Sequence, residues 1–99
     1  MDAEQSLQEF LEFVIGALID HPDQASITRR LDTERGTLYF DATLEEGDVG
    51  RIIGKNGFVI SSIRSLLDAS GEKHGLRVRF KLHSVTSDGG RRSVDENRR

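Results

Sequence analysis

The fold of this chain is decided by the segment Gly50-Arg51-Ile52-Ile53-Gly54-Lys55-Asn56-Gly57-Phe58-Val59-Ile60-Ser61-Ser62-Ile63. An apolar pair leads into a four-residue turn bounded by Gly54 and Gly57, and an amphipathic helix is predicted to follow. Glycines at both ends allow another molecule to approach the backbone closely, because no Cβ is present. The start of a helix presents unpaired N–H groups to the same place. With the positive charge of Lys55, the turn is predicted to be a site for a backbone phosphate.

Length and composition limit what surrounds this turn. The chain has 99 residues, a net charge of −3 and no cysteine, so we expect one small domain without disulfides or thiolate metal sites. No apolar run approaches the roughly 20 residues that span a bilayer, and the acidic start of the chain does not resemble a secretion signal. We therefore expect a cytoplasmic protein that does not interact with membranes.

Charge is distributed unevenly along the sequence. Residues 1–50 hold three arginines and twelve acidic residues, a charge of −9, whereas residues 51–99 hold eleven basic and five acidic residues, a charge of +6. Phosphate responds to the local field and not to the average. The turn therefore lies in the half of the chain that is suited to nucleic acid.

Hydrophobic periodicity predicts the remaining elements. The predicted helices cover residues 4–20, from Thr43 or Glu45 to Gly54, and 57–74; the predicted strands cover 25–32, 37–43 and 76–82. The first two strands are expected to form a hairpin, and the two-helix crossover favours parallel pairing of the second and third. The order αββααβ predicts an α+β fold, with a mixed three-stranded sheet and three helices packed on one face. The domain is predicted to cover residues 1–83. Residues 84–99 lack periodicity and are predicted to be a disordered basic tail.

The spacing of residues does not match the motifs of nucleotide-binding or metal-dependent enzymes. A P-loop requires G-x-x-x-x-G-K-[ST], but only three residues separate Gly50 from Gly54, and Asn56 stands at the hydroxyl position. A Rossmann turn follows a strand, whereas this turn follows a predicted helix. His21, His74 and His83 lack the spacing of metal ligands. We predict no enzyme activity, catalytic residue, metal, cofactor or small-molecule substrate.

The string Ile52-Ile53-Gly54-Lys55-Asn56-Gly57-x-x-Ile60-x-x-Ile63 resembles the GxxG signature of KH domains, which bind single-stranded nucleic acid. The predicted element order resembles the type II KH fold. Over residues 4–83 the chain is similar to the small single-KH-domain RNA-binding proteins of bacteria, the KhpA-like family, with Arg51 where that family often has lysine.

This resemblance implies that the chain holds about four nucleotides of single-stranded RNA. The residues it assigns to RNA binding are Arg51, Ile53, Gly54, Lys55, Asn56, Gly57, Ile60 and Arg77. Gly54 and Gly57 would permit close approach, Lys55 and Asn56 would meet phosphate, and Arg51 would reach from the preceding helix. Ile53 and Ile60, together with Val49, would line a groove for the bases, with Arg77 and Arg79 at its rim.

The resemblance also implies biological context and partners. It suggests a post-transcriptional regulator or RNA chaperone that forms a homodimer or pairs with another KH-containing protein. An alternative stays open: a KH-fold module for protein interaction or dimerisation, with little nucleic-acid binding of its own. The acidic first half favours this alternative, whereas the charge of Lys55 favours RNA.

Overall fold

The computed structural model describes residues 2–85 and 90–94. They form the helices α1 (Ala3–Leu18), α2 (Glu46–Ile53) and α3 (Phe58–Lys73), and the strands β1 (Ser26–Asp32), β2 (Thr37–Leu44), β3 (Arg77–Val85) and β4 (Arg91–Ser93). Single 3₁₀ turns occur at Pro22–Gln24 and Lys55–Gly57. The predicted helices and strands are confirmed with bounds within two residues, except that β3 continues three residues further. No helix in the described part of the chain is long and apolar enough to cross a membrane.

Helix α1 shows how local sequence sets these bounds. It begins after Asp2, whose side chain accepts a hydrogen bond from a backbone N–H of the first turn and so satisfies a donor that the helix start leaves unpaired. Leu7, Leu11 and Ile15 recur every four residues and are buried. The helix ends at Leu18, after which Ile19 is extended, and Pro22 could not continue the helix because it lacks a backbone N–H.

The strands form one mixed sheet in the order β1-β2-β3-β4. Strands β1 and β2 are an antiparallel hairpin, and β2 and β3 run parallel. The hairpin turn ends at Gly36, whose φ of +61° suits glycine. The pairing predicted from the sequence is therefore confirmed, and it brings the end of β3 next to the start of α2.

The core lies between the helices and one face of the sheet. Alternate strand residues point into it, and the three helices contribute their apolar stripes. The buried apolar residues are Leu7, Leu11, Ile15, Ile19, Leu38, Phe40, Ala42, Leu44, Ile52, Ile60, Ile63, Leu67, Val78, Phe80 and Leu82. The opposite face of the sheet carries no helix from the described residues.

Arg29 is the one charged residue among the core-facing positions of β1, between Ile27 and Leu31. Its guanidinium donates a hydrogen bond to the side-chain oxygen of Gln8 at 2.7 Å and lies 3.6 Å from the carboxylate of Glu4. The first helix thus supplies partners for the charge, because a partly buried cation requires hydrogen bonds and a counterion. A charged residue therefore occupies a core-facing position in the alternating pattern of β1.

The sheet has one strand more than the sequence predicted. Ser84 and Val85 belong to β3, and β4 pairs with them in antiparallel register. The backbone N–H of Val94 donates to the carbonyl of Leu82 at 2.9 Å, and its side chain packs on the core. The expectations of a three-stranded sheet and of disorder directly from Ser84 were wrong for these residues, since strand pairing uses backbone groups and requires no apolar alternation. The rest of the predicted tail, 86–89 and 95–99, lies outside the described residues.

On the edge of β3 that faces β4, an arginine side chain supplies hydrogen bonds to a carbonyl that β4 does not reach. The guanidinium of Arg64 on α3 donates to the carbonyl of Phe80 at 2.8 Å and 3.3 Å. A charged donor fits this site because buried carbonyl groups need partners. Between them, Arg64 and β4 supply donors to the outer edge of β3.

Candidate nucleic-acid interface

The turn Gly54–Gly57 joins α2 to α3 through an unusual backbone. Gly54, Asn56 and Gly57 have φ angles of +76°, +56° and +77°. Only glycine adopts such angles readily, and asparagine is among the few other residues that tolerate them. The residue types of the turn therefore match its conformation, and Lys55 is left exposed between the glycines.

The two glycines serve different purposes. A Cβ on Gly54 would lie 2.3 Å from Cγ2 of Val59 and 2.9 Å from its backbone nitrogen, so the turn packs directly against α3 at this point. A Cβ on Gly57 would meet no described atom within 4 Å. Gly54 is required for packing, whereas Gly57 leaves an open approach to the backbone.

The start of α3 faces this opening. Gly57 precedes the helix and offers no side-chain cap, so the first N–H groups lack a side-chain partner there. The helix has 16 residues, and its dipole places partial positive charge at this end. Within residues 2–85 and 90–94, no carboxylate pairs with Lys55. Backbone donors, the helix dipole and a lysine thus converge at one exposed position, an arrangement that can accept an anion.

Arg51 lies one turn before Gly54 and is already engaged. Its guanidinium forms an ion pair with the carboxylate of Asp20 at 2.8 Å, and both side chains are exposed. An exposed ion pair is worth about 0–1 kcal/mol. An anion at the turn would therefore compete for Arg51 with a carboxylate that sequence spacing did not indicate.

The two predicted groove isoleucines differ in exposure. Ile53 is partly buried, whereas Ile60 is only 1% exposed and belongs to the core. Ile60 fixes the position of α3 from beneath and offers little surface to a ligand. Phe58, by contrast, is 73% exposed in the first turn of α3. It lines an open hollow of about 610 Å³ together with Lys55, Asn56, Val59 and Ser61.

A second cleft lies between α2 and the last two strands. It measures about 490 Å³ and is lined by Glu46, Val49, Gly50, Ser84, Arg92, Ser93 and Val94. Val49 and Gly50 lie in the middle of α2, one turn of helix before Gly54, so this cleft continues the exposed surface of α2. Its far wall is β4, which the sequence did not predict because its three residues show no periodicity.

The structure does not bring Arg77 to the turn. Arg77 begins β3, where its backbone N–H donates to the carbonyl of Gly36, whereas Lys55 precedes the first residue of α3. The 16 residues of α3 separate the two positions, and a helix of that length spans about 24 Å. The side chains of Arg77 and Arg79 also point to the sheet face opposite the helices, since Val78 between them faces the core, so neither lies at the rim of a groove beside the turn.

Asp48 anchors α2 and was not recognised as a structural residue from the sequence. Its side chain is 1% exposed, and its two oxygens accept hydrogen bonds from the backbone N–H groups of Asp20 and His21 at 3.0 and 2.9 Å. Burial alone raises the pKa of Asp48, but these hydrogen bonds and the His21 ring outweigh it, so the pKa lies below its ordinary value.

The ring of His21 lies between two acidic residues. Its Nδ1 is 3.2 Å from Asp48 and 3.4 Å from Glu45. These three residues come together from two distant segments, which explains why spacing along the sequence did not indicate the cluster. Because the Asp48 carboxylate already accepts backbone hydrogen bonds, we assign the cluster to holding α2 in place, and thereby the turn that follows it.

An α+β domain with three helices on one face of a mixed sheet, and a glycine-bounded turn between two of them, is consistent with a domain of the KH class. Comparison with protein families agrees: the sequence model described as "KhpA/KhpB, KH domain" matches residues 8–82. The chain belongs to this family, and the resemblance inferred from the sequence is confirmed.

Bacterial relatives support the assignment. The "RNA-binding protein KhpA" of Chlamydia muridarum is 30% identical over 76 residues, which cover 77% of this chain and 95% of the relative. The protein of the same name from Chlamydia pneumoniae is 32% identical over 76 residues, with the same coverage. The one from Listeria monocytogenes serovar 1/2a is 31% identical over 77 residues, covering 77% of this chain and 97% of the relative.

Proposed function

We propose that this protein binds single-stranded RNA by gripping about four nucleotides at the turn Gly54–Gly57. One observation carries the proposal: the exposed Lys55 stands between two glycines of positive φ at the uncapped start of α3. A phosphate accepts hydrogen bonds from backbone N–H groups there, and its charge is balanced by Lys55 and the helix dipole. Asn56 adds a side-chain donor, and Arg51 joins when phosphate displaces Asp20.

The bases extend from the phosphate over the surface of α2. Val49 and Ile53 provide partly buried apolar contacts, and the cleft between α2 and β4 gives room beside them. Ile60 acts indirectly by supporting α3. Phe58 is the exposed aromatic residue closest to the turn along the chain, and stacking on it is worth about 1–3 kcal/mol per base. With one such platform, the predicted affinity is modest.

The wider role follows from this modest affinity. Weak single-site binding becomes effective when a second module adds avidity, so we propose a homodimer or a pairing with another KH-containing protein. We propose that the domain predicted over residues 1–83, extended by the end of β3 and by β4, has the type II KH topology. It acts without catalysis in the cytoplasm, as a post-transcriptional regulator or RNA chaperone. The names of the bacterial relatives support the RNA part of this proposal.

The proposal is tested by reversing charge at the turn. In a K55D/N56D variant, RNA affinity measured by fluorescence anisotropy with a short oligonucleotide should fall at least tenfold, because carboxylates repel the phosphate. Aspartate tolerates positive φ, so the fold should persist, as checked by circular dichroism. The matched control K73D reverses a charge at the other end of α3 and should bind nearly as wild type. Equal binding by K55D/N56D and wild type would contradict the proposal.

The alternative, a protein-interaction module, is favoured by two exposed apolar side chains. Phe13 on α1 is 76% exposed and Leu66 on α3 is 54% exposed, and such residues often belong to contact surfaces. Sedimentation of wild type and an F13S/L66S variant measures self-association. If wild type associates but binds no RNA at low salt, the interaction module is the better assignment.

A further inference from the structure

Four cations project from the sheet face that no described helix covers. Arg77, Arg79 and Lys81 occupy alternate positions of β3, and Arg30 occupies the corresponding face of β1. All four side chains are exposed. Their neighbours Val78 and Phe80 point into the core, so strand alternation directs the cations away from it. We call these four residues the cationic face.

The cationic face has a regular geometry. Pairing aligns Arg30, Tyr39 and Arg79 in one row across three strands, and the Arg30 guanidinium carbon lies 4.3 Å from the centre of the Tyr39 ring. Along β3, the alternate residues Arg77, Arg79 and Lys81 are spaced by about 6.6 Å. A stacked arginine therefore adjoins an evenly spaced line of positive charge.

These charges have no counterions within residues 2–85 and 90–94, since none of the four cations forms an ion pair there. Two acidic residues share this face, and Asp41 lies opposite Lys81 in the strand register, but neither forms an ion pair with the four cations. Asp32 lies 3.8 Å from Arg35, and Asp41 contacts the ring of His83 at 2.8 Å. In a chain of net charge −3, four cations against two acidic residues still give this face a local positive field.

We infer that the cationic face is a second RNA-binding surface, which holds nucleotides flanking those gripped at the turn. This inference rests on the proposed RNA binding and adds a separate site to it. Evenly spaced cations suit a phosphate backbone, and a flat guanidinium held on a tyrosine ring offers a plane on which an unpaired base can stack. An acidic protein partner would pair with the four cations but would make no use of the guanidinium plane of Arg30, so the stacked pair favours RNA.

The position of the cationic face determines which RNAs use it. Arg77 lies about one α3 length, roughly 24 Å, from the turn and on the opposite side of the sheet from the helices. An RNA of about four nucleotides, the usual KH footprint, fills only the turn. A strand of about sixteen nucleotides, the upper size of a single-stranded site on one small domain, is long enough to contact both surfaces.

Binding of short and long RNA by full-length variants tests the inference. Wild type should bind an unstructured RNA of about sixteen nucleotides at least about a hundredfold more tightly than one of about four, which exceeds the gain that the roughly thirteen overlapping four-nucleotide registers of the longer RNA give by statistics alone. R79E reverses one of the four charges, so it should reduce that difference several-fold without changing short-RNA affinity, and its slope of log affinity against log salt should fall by about one phosphate contact or more. The matched control K73E makes the same charge change outside the cationic face and should retain the long-RNA advantage.

The outcomes separate the two sites. Equal long-RNA affinity for R79E and K73E, or a wild-type preference for long RNA no larger than the statistical gain, would overturn the second site while leaving the turn intact. Loss of self-association in R79E, seen by sedimentation without a change in RNA affinity, would reassign the cationic face to protein contact and also overturn it. If wild type and K55D/N56D both fail to bind short RNA, the proposed grip at the turn fails independently.

Discussion

The turn and the cationic face attract the same kind of ligand by different means. At the turn, two glycines, a helix start and one lysine create the site, and backbone angles determine its shape. On the cationic face, four side chains supply the charge, and the backbone is an ordinary strand. A site built from backbone angles should fail abruptly when one residue changes. A site built from several side chains should weaken in proportion to the charge removed.

The largest expected effect comes from Gly54→Ala. Its Cβ would meet Val59 within 3 Å at a φ of +76°, so we expect a loss of about 2–4 kcal/mol in unfolding free energy from overpacking and backbone strain, together with loss of RNA binding. Urea denaturation measures the unfolding free energy. Gly50→Ala is the control, because nothing lies near that Cβ and alanine favours a helix. Equal stability of the two variants would contradict the packing role of Gly54.

Asp48→Asn tests the anchoring of the helix that carries the turn. Asparagine offers one acceptor oxygen where two backbone donors require partners, so the melting temperature at pH 7 should drop by several degrees. The pKa of Asp48 is lowered by folding. Its ionised form therefore stabilises the fold above the ordinary aspartate pKa of about 3.9, and this contribution is lost as pH falls through the lower folded value. The difference in melting temperature between wild type and Asp48→Asn should therefore become smaller below about pH 4, and a constant difference would contradict this role.

Gly57→Ala separates packing from access. A Cβ there meets no described atom, so the cost in unfolding free energy should be only about 1–2 kcal/mol from the positive φ. The loss in RNA-binding free energy should exceed this loss in unfolding free energy, because the methyl group blocks the approach of RNA to the backbone. Titrating short RNA at a temperature where the variant is fully folded measures this. Unchanged affinity would place the phosphate elsewhere.

The smallest effect is expected on the cationic face. Tyr39→Leu removes the ring beneath Arg30 but no charge, so long-RNA affinity should drop only about two- to fivefold, the equivalent of a cation–π contact of about 0.5–1 kcal/mol. Short-RNA affinity should be unchanged. Anisotropy with both RNAs measures this. A drop of tenfold or more would indicate that this site also depends on one precise geometry.

Much of the fold could be predicted because its signals are local. The alternation around Val78 and Phe80 and the glycine-bounded turn predicted their elements from adjacent residues. Contacts between distant residues could not be predicted in this way. Asp48 meets the backbone of Asp20 and His21 across more than twenty residues of sequence, and nothing in its neighbourhood indicates those partners.

The candidate site was predicted less evenly. The turn residues come together because they are adjacent in sequence, and Lys55 is exposed between its glycines as expected. The assignment of roles to Arg51 and Arg77 depended on tertiary placement. The structure gives Arg51 a carboxylate partner in Asp20 and places Arg77 at the far end of α3, so their parts in RNA binding stay predictions. Strand β4 was missed because three exposed residues leave no pattern.

The closed edge of β3 has a consequence for how the sheet could grow. An extended segment from another molecule joins a sheet by bonding to free backbone groups at its edge. Along β3, the carbonyls of Phe80 and Leu82 already accept from Arg64 and Val94, so an incoming strand would first have to displace them. The outer edges of β1 and β4 pair with no strand in the described chain, and β1, with seven residues against three in β4, offers the longer row of backbone groups. Strand exchange or fibril-like stacking would therefore start at β1, at the opposite edge of the sheet from β4.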